Sequence, residues 1–153
     1  MDKVIIGIDP GLSGGIAALG GNGEVIDVFP MPQTMADLYD TLSEFYDERT
    51  VCYMEDVGHG MPGQSSKATA TFARHCGHIE MALLALGIPT HTVTPSKWMK
   101  SYQLGKSSDF EKREWKNRLK SKAQQLFPKQ KITLSICDAL LIAEYGRKQE
   151  VGR

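Results

Sequence analysis

No stretch of the chain approaches the ~20 consecutive apolar residues that a bilayer-spanning helix needs, so a membrane role is excluded. Cysteine is scarce: Cys52, Cys76 and Cys137 are widely spaced, odd in number and form no C-x-x-C pair. That argues against a disulfide framework or a zinc knuckle. The three read instead as small buried hydrophobes in a reducing compartment. Net charge is lacking as well, with 18 Lys and Arg against 18 Asp and Glu. At face value this weighs against a nucleic-acid partner, whose phosphates demand basic surface. Internal repeats and low-complexity tracts are missing. Met1-Asp2-Lys3-Val4 runs straight into a strand-like segment with no secretory pattern, so the expected location is the cytoplasm. What is present is ordinary for a globular protein: 153 residues, 41% hydrophobic and 24% charged. That length predicts a single domain over residues 1–153.

The order of elements follows from periodicity and turn signals. Val4–Ile8 is a short β-branched run that ends at Asp9, where Pro10-Gly11 breaks it. Gly14–Leu19 and Glu24–Phe29 read as two more strands around the turn Gly20-Gly21-Asn22-Gly23, and Pro30 ends this antiparallel meander. Thr34, with Asp37 three residues on, opens a helix with apolar positions Met35, Leu38, Leu42, Phe45 and Tyr46. Thr50–Met54 is a fourth strand ending at Glu55, followed by a polar, glycine-rich loop over 56–66. A long helix over Lys67–Leu86 stops at Gly87, and Ile88–Val93 is the fifth strand. A short helix carries Trp98 and Met99, Tyr102–Asp109 reads as a mobile loop, and Phe110–Phe127 as a basic helix. A last helix runs from Ser135 to about Lys148. This order predicts a mixed α/β sheet, three strands antiparallel and two parallel, flanked by helices. His75-Cys76-Gly77-His78 lies within a helical pattern, where neighbouring positions face different ways, and is not read as a metal site.

Asp9 and Glu55 occupy equivalent places, each the first polar residue after a buried strand. On parallel neighbours they would emerge together at the carboxyl edge, where open α/β sheets bind ligands. Asp138 stands near the start of the apolar run Ala139-Leu140-Leu141-Ile142-Ala143. Converging carboxylates without a His or Cys partner suit hard cations such as Mg²⁺ or Mn²⁺, which support displacement at phosphorus. Each acid also has an ordinary structural reading, as a turn residue, a solvated strand end or a helix-start acid. The spacing Asp9-x-Gly11-x-x-Gly14 is similar to a phosphate motif of actin-like ATPases, but such enzymes need two domains and this chain has room for one.

Three segments in order resemble the RuvC-type Holliday junction resolvases: Gly7-Ile8-Asp9-Pro10-Gly11, Tyr53-Met54-Glu55-Asp56-Val57 and Asp138-Ala139-Leu140-Leu141-Ile142-Ala143. Met61-Pro62-Gly63-Gln64, Phe72-Ala73-Arg74, Gly87-Ile88-Pro89 and Val93-Thr94-Pro95-Ser96-Lys97-Trp98 resemble the phage-encoded branch. The resemblance implies a ribonuclease-H-like fold, a homodimer joined through the helix over 67–87, and cleavage of four-way or branched DNA. It also implies Mg²⁺ or Mn²⁺, two per site, with Asp9, Glu55 and Asp138 as metal-binding catalytic acids. The products implied are 5′-phosphate and 3′-hydroxyl ends. The chain departs from the pattern at Ser135, which stands where the family carries an acid. Ser135 is therefore a doubtful metal ligand, and a junction-binding protein with weakened catalysis is the alternative. In the loop after Glu55, His59 and Met61 are the candidates for reaching into a junction centre.

The neutral total hides two regions. Residues 97–131 hold 11 Lys and Arg against 3 Asp and Glu, a net of +8, while the remainder holds 7 against 15. Lys112, Lys116 and Lys120 recur every four residues and share one helical face, a stripe suited to a phosphate backbone. Lys97, Lys100, Lys106, Arg113 and Arg118 extend that set, and Lys67 and Arg74 are further DNA-binding candidates.

Overall fold

The computed structural model describes residues 2–58 and 63–151. A five-stranded sheet is built from β1 (Val4–Asp9), β2 (Gly15–Gly20), β3 (Val25–Pro30), β4 (Thr50–Glu55) and β5 (Thr90–Val93), in the order β3-β2-β1-β4-β5. The first three are antiparallel, and β4 and β5 run parallel to β1. The helices are α1 (Met35–Glu44), α2 (Ser66–Leu86), α3 (Pro95–Lys100), α4 (Lys112–Leu126) and α5 (Leu134–Val151), with a 3₁₀ turn over Ser107–Asp109. The architecture is the mixed sheet flanked by helices that the order of elements predicts, with a ribonuclease-H-like arrangement of strands. Among the described residues no helix is long and apolar enough to cross a membrane.

Alternation along the strands gives the sheet two apolar faces. Ile6, Ile8, Ile16, Ala18, Cys52 and Met54 face α1 and α2, where Leu38, Leu42, Ile79 and Leu83 complete one core. Ile5, Ala17, Leu19, Val51 and Tyr53 face α5, with α4 and Trp98 behind it, in the other. Helix α5 carries little amphipathic pattern because both sides are covered: residues 139–146 are all buried. It lies across the centre of the sheet because Gly7 has no side chain. A β-carbon there would overlap the Ala139 carbonyl and the Ala143 amide.

Several boundaries move from the sequence expectation. Strand β2 begins at Gly15 and β3 retains Pro30 as its last residue, at the sheet edge where a missing N–H costs little. Strand β5 begins at Thr90, because Gly87 in the left-handed conformation (φ 72°) caps α2 and ties the Ile88 amide to the Leu83 carbonyl. Thr34 caps α1 as expected, accepting from the Asp37 amide at 3.1 Å. Met35, expected on its buried face, is exposed, and so is Tyr46, which lies beyond the helix because α1 ends at Glu44 with Phe45 as its cap. The loop after α3 is anchored at its start, since Tyr102 is buried and its hydroxyl donates to the Leu141 carbonyl of α5. Cys52 and Cys137 are buried, whereas Cys76 is only half-buried, a correction to the reading of all three as core residues.

Candidate active site

Strands β1 and β4 pair in register, Ile8 opposite Met54, so Asp9 and Glu55 follow as the next residue on each. Odd-numbered positions of both strands face α5, and Asp9 and Glu55 inherit that direction. Asp138 lies one turn into α5, just ahead of the Ala139 that sits over Gly7. The glycine that brings helix and sheet together therefore also brings the third carboxylate to the first two. Gly14 serves the same site, since a β-carbon there would overlap the Asp9 carbonyl. The Gly14 amide closes the turn on the Gly11 carbonyl at 3.0 Å.

The electrostatics are those of acids crowded in a partly dry place. Burial first, then the charges of Asp138 and Glu55, push the Asp9 carboxyl up to about 8. Burial lifts Glu55 to about 7; the Trp98 indole N–H opposes the shift and Asp138 adds to it. Burial lifts Asp138 to about 6, and Lys116 opposes the shift. Among the described residues no three His, Cys, Asp or Glu side chains form a ready-made coordination cluster. The acids are neighbours within electrostatic range, not atoms already gathered on one point. Their donor set is nonetheless all oxygen and borne on two strands and a helix. Those residues fit a hard divalent cation, whose positive charge would relieve the repulsion that raises Asp9.

Ser135 shares the site-facing side of α5 with Asp138, one turn away. Its hydroxyl lies 3.1 Å from that of Thr133. Glu144, the nearest later acid on the helix, is held by Arg147 through two hydrogen bonds of 2.7 and 2.8 Å.

The basic residues divide. On α4, Trp115, Leu119 and Ala123 are buried, and Lys112, Lys116 and Lys120 form the exposed stripe beside them. Lys116 acts on Asp138 and Lys120 on Cys137, so these two lysines lie alongside the start of α5. Arg118 sits ~200° round the helix from Lys116 and stacks over the Phe110 ring, 4.0 Å from its centre. Arg113, Lys97, Lys100 and Lys106 are exposed. Lys67 lines an open groove of about 590 Å³ between the Gly11–Ser13 turn and the start of α2, while Arg74 lines a neighbouring one. Among the described residues none of these ten cations is paired with an acid. His59 and Met61 lie outside the described residues.

Sequence reasoning missed one contact. Trp98 is fully buried, and its indole N–H donates to Glu55 Oε2 at 2.7 Å. The signal was a lone tryptophan on a short helix just after β5, the strand beside β4.

No family model matches the chain, and no curated protein matches it in sequence. Among solved structures it is similar to Thermus thermophilus RuvC in complex with a Holliday junction substrate, at 15% identity and a TM-score of 0.69, covering 98% of this chain and 96% of that one. A second structure of Thermus thermophilus RuvC gives 17% identity and a TM-score of 0.62, covering 97% and 96%. The likeness establishes a RuvC-like fold over nearly the whole chain.

Proposed function

We propose that the chain is a single-domain, metal-dependent endonuclease that resolves four-way or closely related branched DNA. The observation that carries the reading is a juxtaposition. Asp9, Glu55 and Asp138 stand at one edge of a RuvC-like sheet, and Lys116 of the α4 stripe lies within electrostatic range of Asp138. A solved structure of similar fold is of RuvC with a Holliday junction.

Asp9, Glu55 and Asp138 would hold Mg²⁺ or Mn²⁺, two ions in the fullest form. A cation so bound supplies Lewis-acid stabilisation of charge on the phosphate and a more acidic water. The chain's residues do the rest. Lys112, Lys116 and Lys120 hold the phosphate backbone along α4. Lys116 also lends positive charge to Asp138, keeping that carboxyl lowest of the three. Burial of Glu55 and partial burial of Asp9 keep bulk water back from that edge, which strengthens the interactions of those two carboxyls. Hydrolysis would leave 5′-phosphate and 3′-hydroxyl ends.

Two copies would match the two-fold symmetry of a junction. Helix α2 supplies the candidate surface: Ile79 and Leu83 are spent on the core, but Met81 and Leu84 are 61% and 73% exposed. Met81 lines a shallow groove with Met35 and Tyr39 of α1, an apolar patch suited to a homodimer. The motif resemblance to the phage-encoded branch favours a cytoplasmic, phage-type enzyme.

Ser135 supports a second reading. A neutral hydroxyl beside Thr133 is a weaker ligand than a carboxylate. A protein that binds junctions and cuts them poorly would result.

A labelled synthetic four-way junction in Mg²⁺ or Mn²⁺ separates the two. Paired symmetric nicks, lost on Asp9→Asn, are expected from the first. Tight binding without nicks, and cleavage gained on Ser135→Asp, would favour the second. Absence of any junction affinity would sink both.

A further inference from the structure

Three like-charged carboxylates at the end of a sheet repel one another, and a glutamate has three side-chain torsions by which to escape. Asp9 is restrained by its short side chain and by the Gly11–Gly14 turn behind it. Asp138 rides on a buried helix. Glu55 is the long member, and what holds it is Trp98. The indole N–H lies 2.7 Å from Oε2, on a side chain with no exposed surface. The indole is itself fixed. It meets the Tyr102 ring edge-on, with centroids 6.4 Å apart and planes at 78°. The Tyr102 hydroxyl then donates to the Leu141 carbonyl, one turn along α5 from Asp138. A continuous chain of contacts thus joins the β4 acid to the helix that carries the Asp138 acid.

We propose that Trp98 is a positioning residue: it pins one oxygen of Glu55, leaves the other to a divalent cation, and with Tyr102 sets the placement of Glu55 relative to α5. This rests on the reading of Glu55 as a cation ligand. An indole suits the task because it donates one hydrogen bond, accepts none and carries no charge. It therefore orients the carboxylate without neutralising it, as outer-shell partners of metal ligands do. Its bulk also shields Oε2 from water.

The test begins on the wild-type protein with Mg²⁺ alone. Trp98 and Trp115 are the only tryptophans, so the indole N–H region of a proton–nitrogen spectrum holds two signals, assigned with Trp98→Phe and Trp115→Phe. Trp115 Nε1 is buried without a partner among the described residues, so its signal is the internal control. The Trp98 signal should shift saturably with Mg²⁺ while the Trp115 signal stays. In Trp98→Phe, which keeps an aromatic ring but no donor, calorimetric Mg²⁺ affinity should fall about 10- to 100-fold. The Mg²⁺ needed for half-maximal junction cleavage should rise in parallel, with junction affinity in EDTA unchanged. Tyr102→Phe, which removes only the hydroxyl, should produce a smaller change of the same sign.

A Trp98 signal that ignores saturating Mg²⁺, or a folded Trp98→Phe with wild-type Mg²⁺ affinity, overturns the proposal. So does a Trp98→Phe that loses junction affinity together with Mg²⁺ affinity, since that is a structural role. Should Trp98→Phe fail to fold, the wild-type titration and Tyr102→Phe decide. A wild type that cuts junctions with an unmoved Trp98 signal defeats this inference alone. A wild type that binds neither Mg²⁺ nor Mn²⁺ by calorimetry defeats the nuclease reading, and the inference with it.

Discussion

The two faces of the sheet are built to different tolerances. On the α5 face, helix and sheet touch through backbone where Gly7 lies under Ala139 and Ala143 and Gly15 under Ser135, and Gly146 makes room for the Tyr53 ring. On the other face α1 and α2 pack through ordinary side chains, and open grooves and exposed Met81 and Leu84 remain. The close face carries the three acids, and the looser one carries the apolar surface. Chemistry that needs groups held to a fraction of an ångström sits where backbone meets backbone, because packed backbone yields little.

That contrast can be broken most severely at Gly7. Gly7→Val inserts three carbons against α5 and should cost more than about 3 kcal/mol, leaving little folded protein by circular dichroism. A folded Gly7→Val with normal melting would show that the close face is not close.

The next largest effect belongs to the acids. All three carboxyls titrate above their ordinary range, so the native chain holds protons that the unfolded chain has released. The stability this confers is full below about pH 4 and is lost as pH rises through about 6 to 8. In EDTA the melting temperature should therefore fall between pH 5 and pH 8. Asp9→Asn should flatten that fall and raise stability at pH 8 by at least about 1 kcal/mol, ~2–4 °C, while abolishing cleavage. Saturating Mg²⁺ should reverse the slope in the wild type. A melting temperature that climbs from pH 5 to 8 in EDTA would refute the crowding.

Smaller is the effect of each stripe lysine. Lys112→Gln, Lys116→Gln and Lys120→Gln should each weaken junction binding and lower the slope of log affinity against log salt by about 0.9. Arg118→Gln, committed to Phe110, should change that slope less. Equal slopes for all four variants would remove the distinction between the two sides of α4.

The mildest expected change is on the looser face. A β-carbon at Gly77 in α2 meets nothing within 4 Å, so Gly77→Ala should stabilise the dilute protein by about 0.5–1 kcal/mol through helix propensity. Destabilisation there would mean that α2 is packed as tightly as α5.

Much of this was legible beforehand. Asp9 and Glu55 could be placed at one edge because both end apolar runs that read as buried strands. The lysine stripe was visible from its four-residue spacing. The exposed Met35 was not distinguished from Leu38 and Leu42, because helical spacing does not reveal how wide a face the partner covers, and Tyr46 kept that spacing although α1 ends at Glu44. The Trp98–Glu55 bond joins residues 43 positions apart, and no local pattern encodes such a pairing.

The sequence by itself determined the order of elements, the acids that end β1 and β4, the basic stripe and the caps at Thr34 and Gly87. These depend on residues within a few positions of each other, through strand and helix periods and local hydrogen bonds. Only the tertiary structure decided that α5 would rest on Gly7 and bring Asp138 to Asp9, that Lys116 would face Asp138, and that Trp98 would hold Glu55. Those pairings arise when separate elements share one core, where packing distance and burial, not local preference, choose the partners.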